Sequence, residues 1–402
     1  MSERFQTWLT ALVVTLGVIA AAGMSLYSFL TSTAPPSLHP NPEAAPSVKA
    51  ATPSPRWDEA VNESQRIARA ALGGQDLPGI SVAVGVGDEI VWAEAFGWAN
   101  LEKRVPAAPT MRFRLGHASK ALTSAVVGQL VEQGQLDLDS EIQTYVPEFP
   151  KKAWPITLRQ LMGHTAGIRH YENEADFMPS AHCTSASEGL SRFAGDPLLF
   201  EPETAYKYST FGWVLVSAAV EAAAGEPFDR VMRAKIFDPS GMTRTSFDSA
   251  GGPPADLATF YEAGWLDARR PARDVDYSCF AGAGAIVSTP SDLVRFGLAL
   301  DNGTLLRSET VRMLHTRQAL VSGKSTEYGL GWMLDATPLA GETAELANHA
   351  NRTLVGSSVS FLLFPHRGLA VAAMTNISYA NMRDVALNVA EAFAIAARQL
   401  RR

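Results

Sequence analysis

Phe113-Arg114-Leu115-Gly116-His117-Ala118-Ser119-Lys120-Ala121-Leu122-Thr123 decides how the rest of the chain reads. Apolar residues from Ala118 to Glu132 recur at helical spacing and stop near Gly134. His117 therefore stands at a helix start, and Lys120 follows one turn later on the same side. A reactive group at that place gains from the positive end of the helix dipole. A lysine partly withdrawn from water loses affinity for its proton and can take one from a neighbour. Ser119 lies about 100° around the helix from Lys120 and reads as a packing or capping residue.

Other motifs are spaced along the chain around this segment. Tyr208-Ser209-Thr210 lies inside Phe200–Gly212, and His349-Ala350-Asn351 comes just before two strand-like runs. Leu161-Met162-Gly163-His164-Thr165-Ala166-Gly167-Ile168-Arg169-His170-Tyr171, Ala281-Gly282-Ala283-Gly284 and Tyr328-Gly329-Leu330-Gly331-Trp332 stand between and beyond them. In this order they resemble the penicillin-recognising serine hydrolases over about residues 57–400. In that family a Ser-x-x-Lys tetrad places the nucleophile one turn before the lysine. The Gly-Ile-Arg-His-Tyr run and the threonine of the second motif are similar to the membrane-anchored serine beta-lactamase-like branch, which includes a mitochondrial type.

The resemblance implies an α+β beta-lactamase/transpeptidase-like fold and a set of site roles. Lys120 would act as proton acceptor and Tyr208 as second proton carrier. Thr210, His349, Asn351 and Arg352 would line the substrate side, with His349 on an edge strand orienting the leaving group. The backbone N–H groups of residues 117 and 352 would form the oxyanion hole, each donor worth about 2.7–4 kcal/mol. Two departures stand against full activity. His117 occupies the serine position, and an acyl-imidazole is a labile intermediate. Asn351 replaces a glycine, so a side chain crowds the backbone donor of Arg352.

Composition limits the remaining classes. The chain has 402 residues, 47% apolar and 19% charged, with net charge −7; that suits a globular domain. A mildly acidic chain without basic clusters argues against nucleic acid. His164, His170 and His349 lack a carboxylate or cysteine at ligand spacing, so no metal is expected, and no cofactor. His164 and His170 are expected to be satisfied structural residues. Cys183 and Cys279 lack zinc or disulfide-framework spacing; two unrelated thiols are expected, with pairing open in an oxidising compartment.

Residues 1–30 hold the uncharged apolar stretch Trp8–Leu30. At about 1.5 Å per residue it reaches across a bilayer core of about 30 Å. An uncleaved anchor is expected, with a cleaved signal after Ala20-Ala21-Ala22 as the competing reading. Residues 31–56 are proline-rich and read as a disordered tether, with folding from Trp57, so residues 57–402 form the domain. It would sit outside the cytoplasm, on the periplasmic or extracellular side, or in the mitochondrion by resemblance.

Periodicity predicts helices over Ala60–Leu72, most of Gly212–Met242, Ser291–Leu300 and about Ala380–Gln399. Strands are predicted over Gly79–Val86, Glu89–Trp98, Tyr328–Leu334, Val355–Phe364 and Leu369–Met374. Strands at both ends with helices between imply an antiparallel sheet built from both chain ends with a helical subdomain. The expected function is a cleft of serine-hydrolase type, ancestrally hydrolysing amides or esters, whose acyl transfer is lost or impaired at His117. The cleft would bind a small or peptide-like acyl ligand. The alternatives are an active hydrolase using His117 with Lys120 and Tyr208, and a structural or assembly protein with a vestigial cleft. Self-association into a homo-oligomer stays open.

Overall fold

Gly87-Asp88 turns the chain between two strands of matched alternation, and the pairing that follows organises the sheet. A computed structural model describes Trp8 and residues 14–24, 37–178, 181–248, 255–262, 269–352, 355–378 and 380–400. The main-sheet strands are β1 (Ser47–Lys49), β2 (Gly79–Val86), β3 (Glu89–Asn100), β4 (Met333–Leu339), β5 (Glu342–Arg352), β6 (Ser358–Phe364) and β7 (Leu369–Thr375). Their order is β1-β3-β2-β7-β6-β5-β4, every neighbouring pair antiparallel, with Val105–Pro106 added to β3. The two chain ends meet where β7 pairs β2, from Leu369 opposite Val86 to Thr375 opposite Ile80. Fold class and architecture match the sequence expectation.

The strands alternate between two cores. Ile80, Val82 and Val84 face helices α1 (Asp58–Gly74) and α5 (Met382–Leu400), which pack on each other and on the sheet. Ala83 and Ala93 face the opposite way, into the larger core. That core holds α2 (Ser119–Glu132), α3 (Thr210–Ala224) and α4 (Pro290–Asp301). Period-two alternation with both faces covered explains why β6 and β7 are buried along their whole length. Pro290 sits in the first turn of α4, and the Thr289 side chain caps it by accepting from Asp292 N.

Several expectations need correction. The tether is folded from Ser37 onward. His39 is buried with its ring on the carbonyls of Leu77 and Pro78, Leu38 N donates to Asp76, and β1 extends the sheet beside β3. Composition alone misses this, because the ordering comes from the unpaired backbone of a sheet edge. The strand expected over Tyr328–Leu334 begins at Met333, since Gly329 and Gly331 make Tyr328–Trp332 a turn; the strand expected from Val355 begins at Ser358. β5 lies between β4 and β6, so His349 is not on the outermost strand, although β4 begins only opposite Asn348. Cys183 and Cys279 are joined in a disulfide, not separate thiols. Of the expected anchor Trp8–Leu30, residues 9–13 and 25–30 lie outside the described residues; residues 14–24 are helical and exposed. Among the described residues no helix is long and apolar enough to cross a membrane.

Candidate active site

Gly116–Ala118 forms a tight turn that feeds directly into α2, and β5 packs against that turn. His117 is half-buried there, while Lys120 is fully buried one turn on. Lys120 Nζ donates to Ala283 O at 3.2 Å and to Thr210 Oγ1 at 3.3 Å. Thr210 Oγ1 also meets His117 Nε2 at 3.3 Å. With that oxygen accepting from Lys120, its own proton is free for the imidazole. Tyr208 completes the group, its ring 5.0 Å from Lys120 Nζ and 5.4 Å from the His117 ring. The structure thus brings His117, Lys120, Tyr208 and Thr210 into one cluster.

Burial sets the protonation of this cluster. Loss of water pushes the Lys120 amine well below the usual lysine range. Among the described residues no carboxylate pairs with it to reverse the effect. His117 is held well below its ordinary value, first by burial and then by Lys120. Tyr208 is pushed well above its ordinary value by burial, so its phenol stays protonated. An amine whose hold on its proton is weakened, beside a protonated phenol, is a pair suited to moving a proton across a bound acyl group.

The carbonyl that accepts from Lys120 belongs to the turn Ser278–Ala283, pinned from two sides. Thr123 Oγ1 donates to Gly282 O at 2.9 Å, and the Cys183–Cys279 disulfide ties the turn to the segment before Ser187. Ala281 takes φ 41° and ψ −127° there, a backbone conformation costly for any residue but glycine.

His349 is bound to the Tyr328–Trp332 turn. It is buried, with Nε2 donating to Gly331 O at 2.7 Å and lying 3.4 Å from the Tyr328 hydroxyl. Burial lowers it to about 3, so the ring is neutral. Its ring braces the Tyr328–Trp332 turn. Gly331 is obligatory in that turn: φ is +98°, and a Cβ would stand 2.6 Å from Ser124 Cβ. Asn351 and Arg352 continue β5 opposite Val359 and Ser358. Ser119 is buried off the cluster, and its hydroxyl has no partner.

Sequence reasoning left His164 and His170 as satisfied structural residues, and the structure gives them definite partners. Ser209 N donates to His164 Nδ1 at 3.1 Å, and Thr210 N donates to His170 Nδ1 at 3.2 Å. Tyr328, Ala283 and the disulfide were not foreseen at the site. Only the order of the glycine-bearing motifs hinted at the first two.

A family model described as Beta-lactamase matches residues 64–396. The chain belongs to the beta-lactamase family. It is 27% identical to the mouse (Mus musculus) "Serine beta-lactamase-like protein LACTB, mitochondrial", over 85% of this chain and 82% of that protein. It is 24% identical to "Penicillin-binding protein 4*" of Bacillus subtilis (strain 168), over 71% and 66%. Among solved structures, the D-amino acid amidase of Ochrobactrum anthropi SV3 superposes with TM-score 0.72 at 23% identity, over 85% of this chain and 99% of that one.

Proposed function

We propose that this protein keeps the acyl-recognition cleft of its family without the acyl-serine chemistry. The observation that carries the reading is the His117 imidazole. It stands one turn before Lys120 and touches Thr210, where the family places its nucleophilic hydroxyl. The proton-handling pair Lys120 and Tyr208 stays assembled around it, so the cleft retains the means to hold a small or peptide-like acyl group. Treating the full chain with a fluorescent penicillin and with a fluorophosphonate, followed by intact-mass measurement, is expected to show no covalent adduct. Calorimetric titration with an N-acyl dipeptide amide is expected to show binding that His117→Trp abolishes. A stoichiometric adduct mapped to the cleft would sink this reading.

One observation favours a second reading. Burial holds the His117 imidazole well below its ordinary value, and a neutral imidazole is itself nucleophilic. Turnover of an activated ester that disappears in His117→Ala would select it.

We also propose that Trp8–Leu30 tethers the domain to a membrane, with the domain outside the cytoplasm. The Cys183–Cys279 disulfide supports an oxidising compartment. On fractionation the chain is expected in the carbonate-resistant membrane pellet; a soluble mature form starting near Gly23 overturns the tether.

A further inference from the structure

Two backbone amides at the start of α3 have no backbone acceptor available to them, as at any helix N-terminus. Here the acceptors are two ring nitrogens. Ser209 N donates to His164 Nδ1, and Thr210 N donates to His170 Nδ1. A nitrogen that accepts from an N–H carries no proton, so both rings must be neutral with the proton on Nε2.

The loop that supplies the rings runs beside the loop that receives them. Lys207 N donates to His164 O, Glu203 N donates to Thr165 O, and Ser209 Oγ donates to Arg169 O at 2.7 Å. Arg169 in turn is fixed by Asp176 at 2.8 Å and Asp196 at 2.5 Å. The rings therefore stand on a braced platform. What they hold is the backbone that aims Tyr208 and Thr210 at Lys120 and position 117.

His164 gives a second, independent sign. Its Nε2 is buried and has no hydrogen-bond partner, and the ring lies among those of Tyr208 and Tyr328, with centroids 4.2 Å and 4.5 Å away. An apolar ring would fill that space without stranding an N–H. The imidazole is accounted for by its other nitrogen.

We propose that His164 and His170 are positioning residues: as neutral, Nε2-protonated rings they clamp the Ser209 and Thr210 amides and so set Tyr208 and Thr210 in the site. The clamp holds whichever ligand or reaction the cleft serves. It opens on acidification, because an imidazolium has no lone pair to offer. The groups facing the two rings are His117 and Lys120 from the start of α2, and Tyr206, Lys207 and Tyr208 from the clamped loop. Tyr171 and Asp176 face them from their own loop, and Tyr328 and His349 from the sheet side. Only Asp176 among these favours the charged ring, and it is already engaged by Arg169.

The test uses the full chain with nitrogen-15 histidine. Long-range proton–nitrogen correlation spectra at pH 7, assigned with His164→Asn and His170→Asn, are expected to show a bare Nδ1 and a protonated Nε2 on both rings. Hydrogen exchange of the 206–212 segment is the second readout, expressed as protection against the intrinsic rate. His170→Asn, whose side-chain oxygen can accept in place of Nδ1, is expected to stay within about twofold of the parent. His170→Leu is expected to lose at least about tenfold protection there, with other segments unchanged. The parent should lose the same protection as pH falls toward 4. An Nδ1-protonated ring at either position, or equal protection in the asparagine and leucine variants, overturns the proposal. The parent's tautomers decide the matter even where a leucine variant fails to fold.

Discussion

Replacing His117 with serine is expected to produce slow turnover of a chromogenic ester, above any activity of the parent chain. Adding Asn351→Gly is expected to raise it by about 10²-fold. The first gain comes from placing a hydroxyl one turn before a buried amine whose affinity for its proton is lowered by burial. Removing the imidazole also clears the space between Tyr208 and Thr210, which the ring now fills. The second gain concerns the developing oxyanion. A donor missing or misplaced there costs about 10²–10³ in rate, and by the resemblance the Arg352 backbone donor follows a position where the family has glycine and this chain has Asn351. Both changes act on one transition state, so their effects will not simply add. Steady-state rates for the parent, both single variants and the double variant check this. Family-like turnover from serine alone would show Asn351 to be harmless; no turnover from the double variant would show that the cleft has degenerated further.

Acidification from pH 6.5 to 4 is expected to remove much of the domain's stability. Four buried or half-buried imidazoles lie in and around the site. His117 and His164 are held well below the ordinary value, His170 is lowered to about 4 and His349 to about 3, in each case chiefly by burial. In the unfolded chain these rings take protons near 6.5. Folded, they resist until lower pH, so unfolding takes up protons in that window. The stabilisation is full above pH 6.5 and declines as pH falls toward the folded values. His170 and His349 alone account for about 3 kcal/mol each by pH 4, against a typical total of about 5–15 kcal/mol. Thermal melts at fixed ionic strength should show Tm dropping steeply below pH 6. A flat Tm from pH 7 to 4.5 would contradict the burial of these rings.

The fold was legible because its strongest signals are local. Period-two runs bounded by Gly87-Asp88 and Pro365–Gly368, and a helical run after His117, each carry their own pattern, and the family order of motifs joined them. The site was legible where one motif holds the residue, as for Lys120, Tyr208 and Thr210. It was not legible where tertiary neighbours decide. His349 sits in the expected motif, yet the Gly331 turn claims its ring. β5 was missed because Glu342–Arg352 mixes polar and small residues, and its pairing comes from strands on either side. The disulfide was missed because two cysteines far apart in sequence carry no spacing signal.

The folded segment before Trp57 gives the domain a mechanical character. Its fastenings are set in series along the chain. Ser37 and Leu38 hold Asp76, which Arg269 also grips; His39 plugs the carbonyls of Leu77 and Pro78; and β1 pairs its three residues with β3. A pull on the chain upstream of Ser37 would load the Asp76 contacts first, then His39, then the Arg69 bonds to the Pro42 and Ala45 carbonyls, then the β1 ladder. A load applied from that end would therefore meet these fastenings before it reached the strands that carry Lys120 and its neighbours.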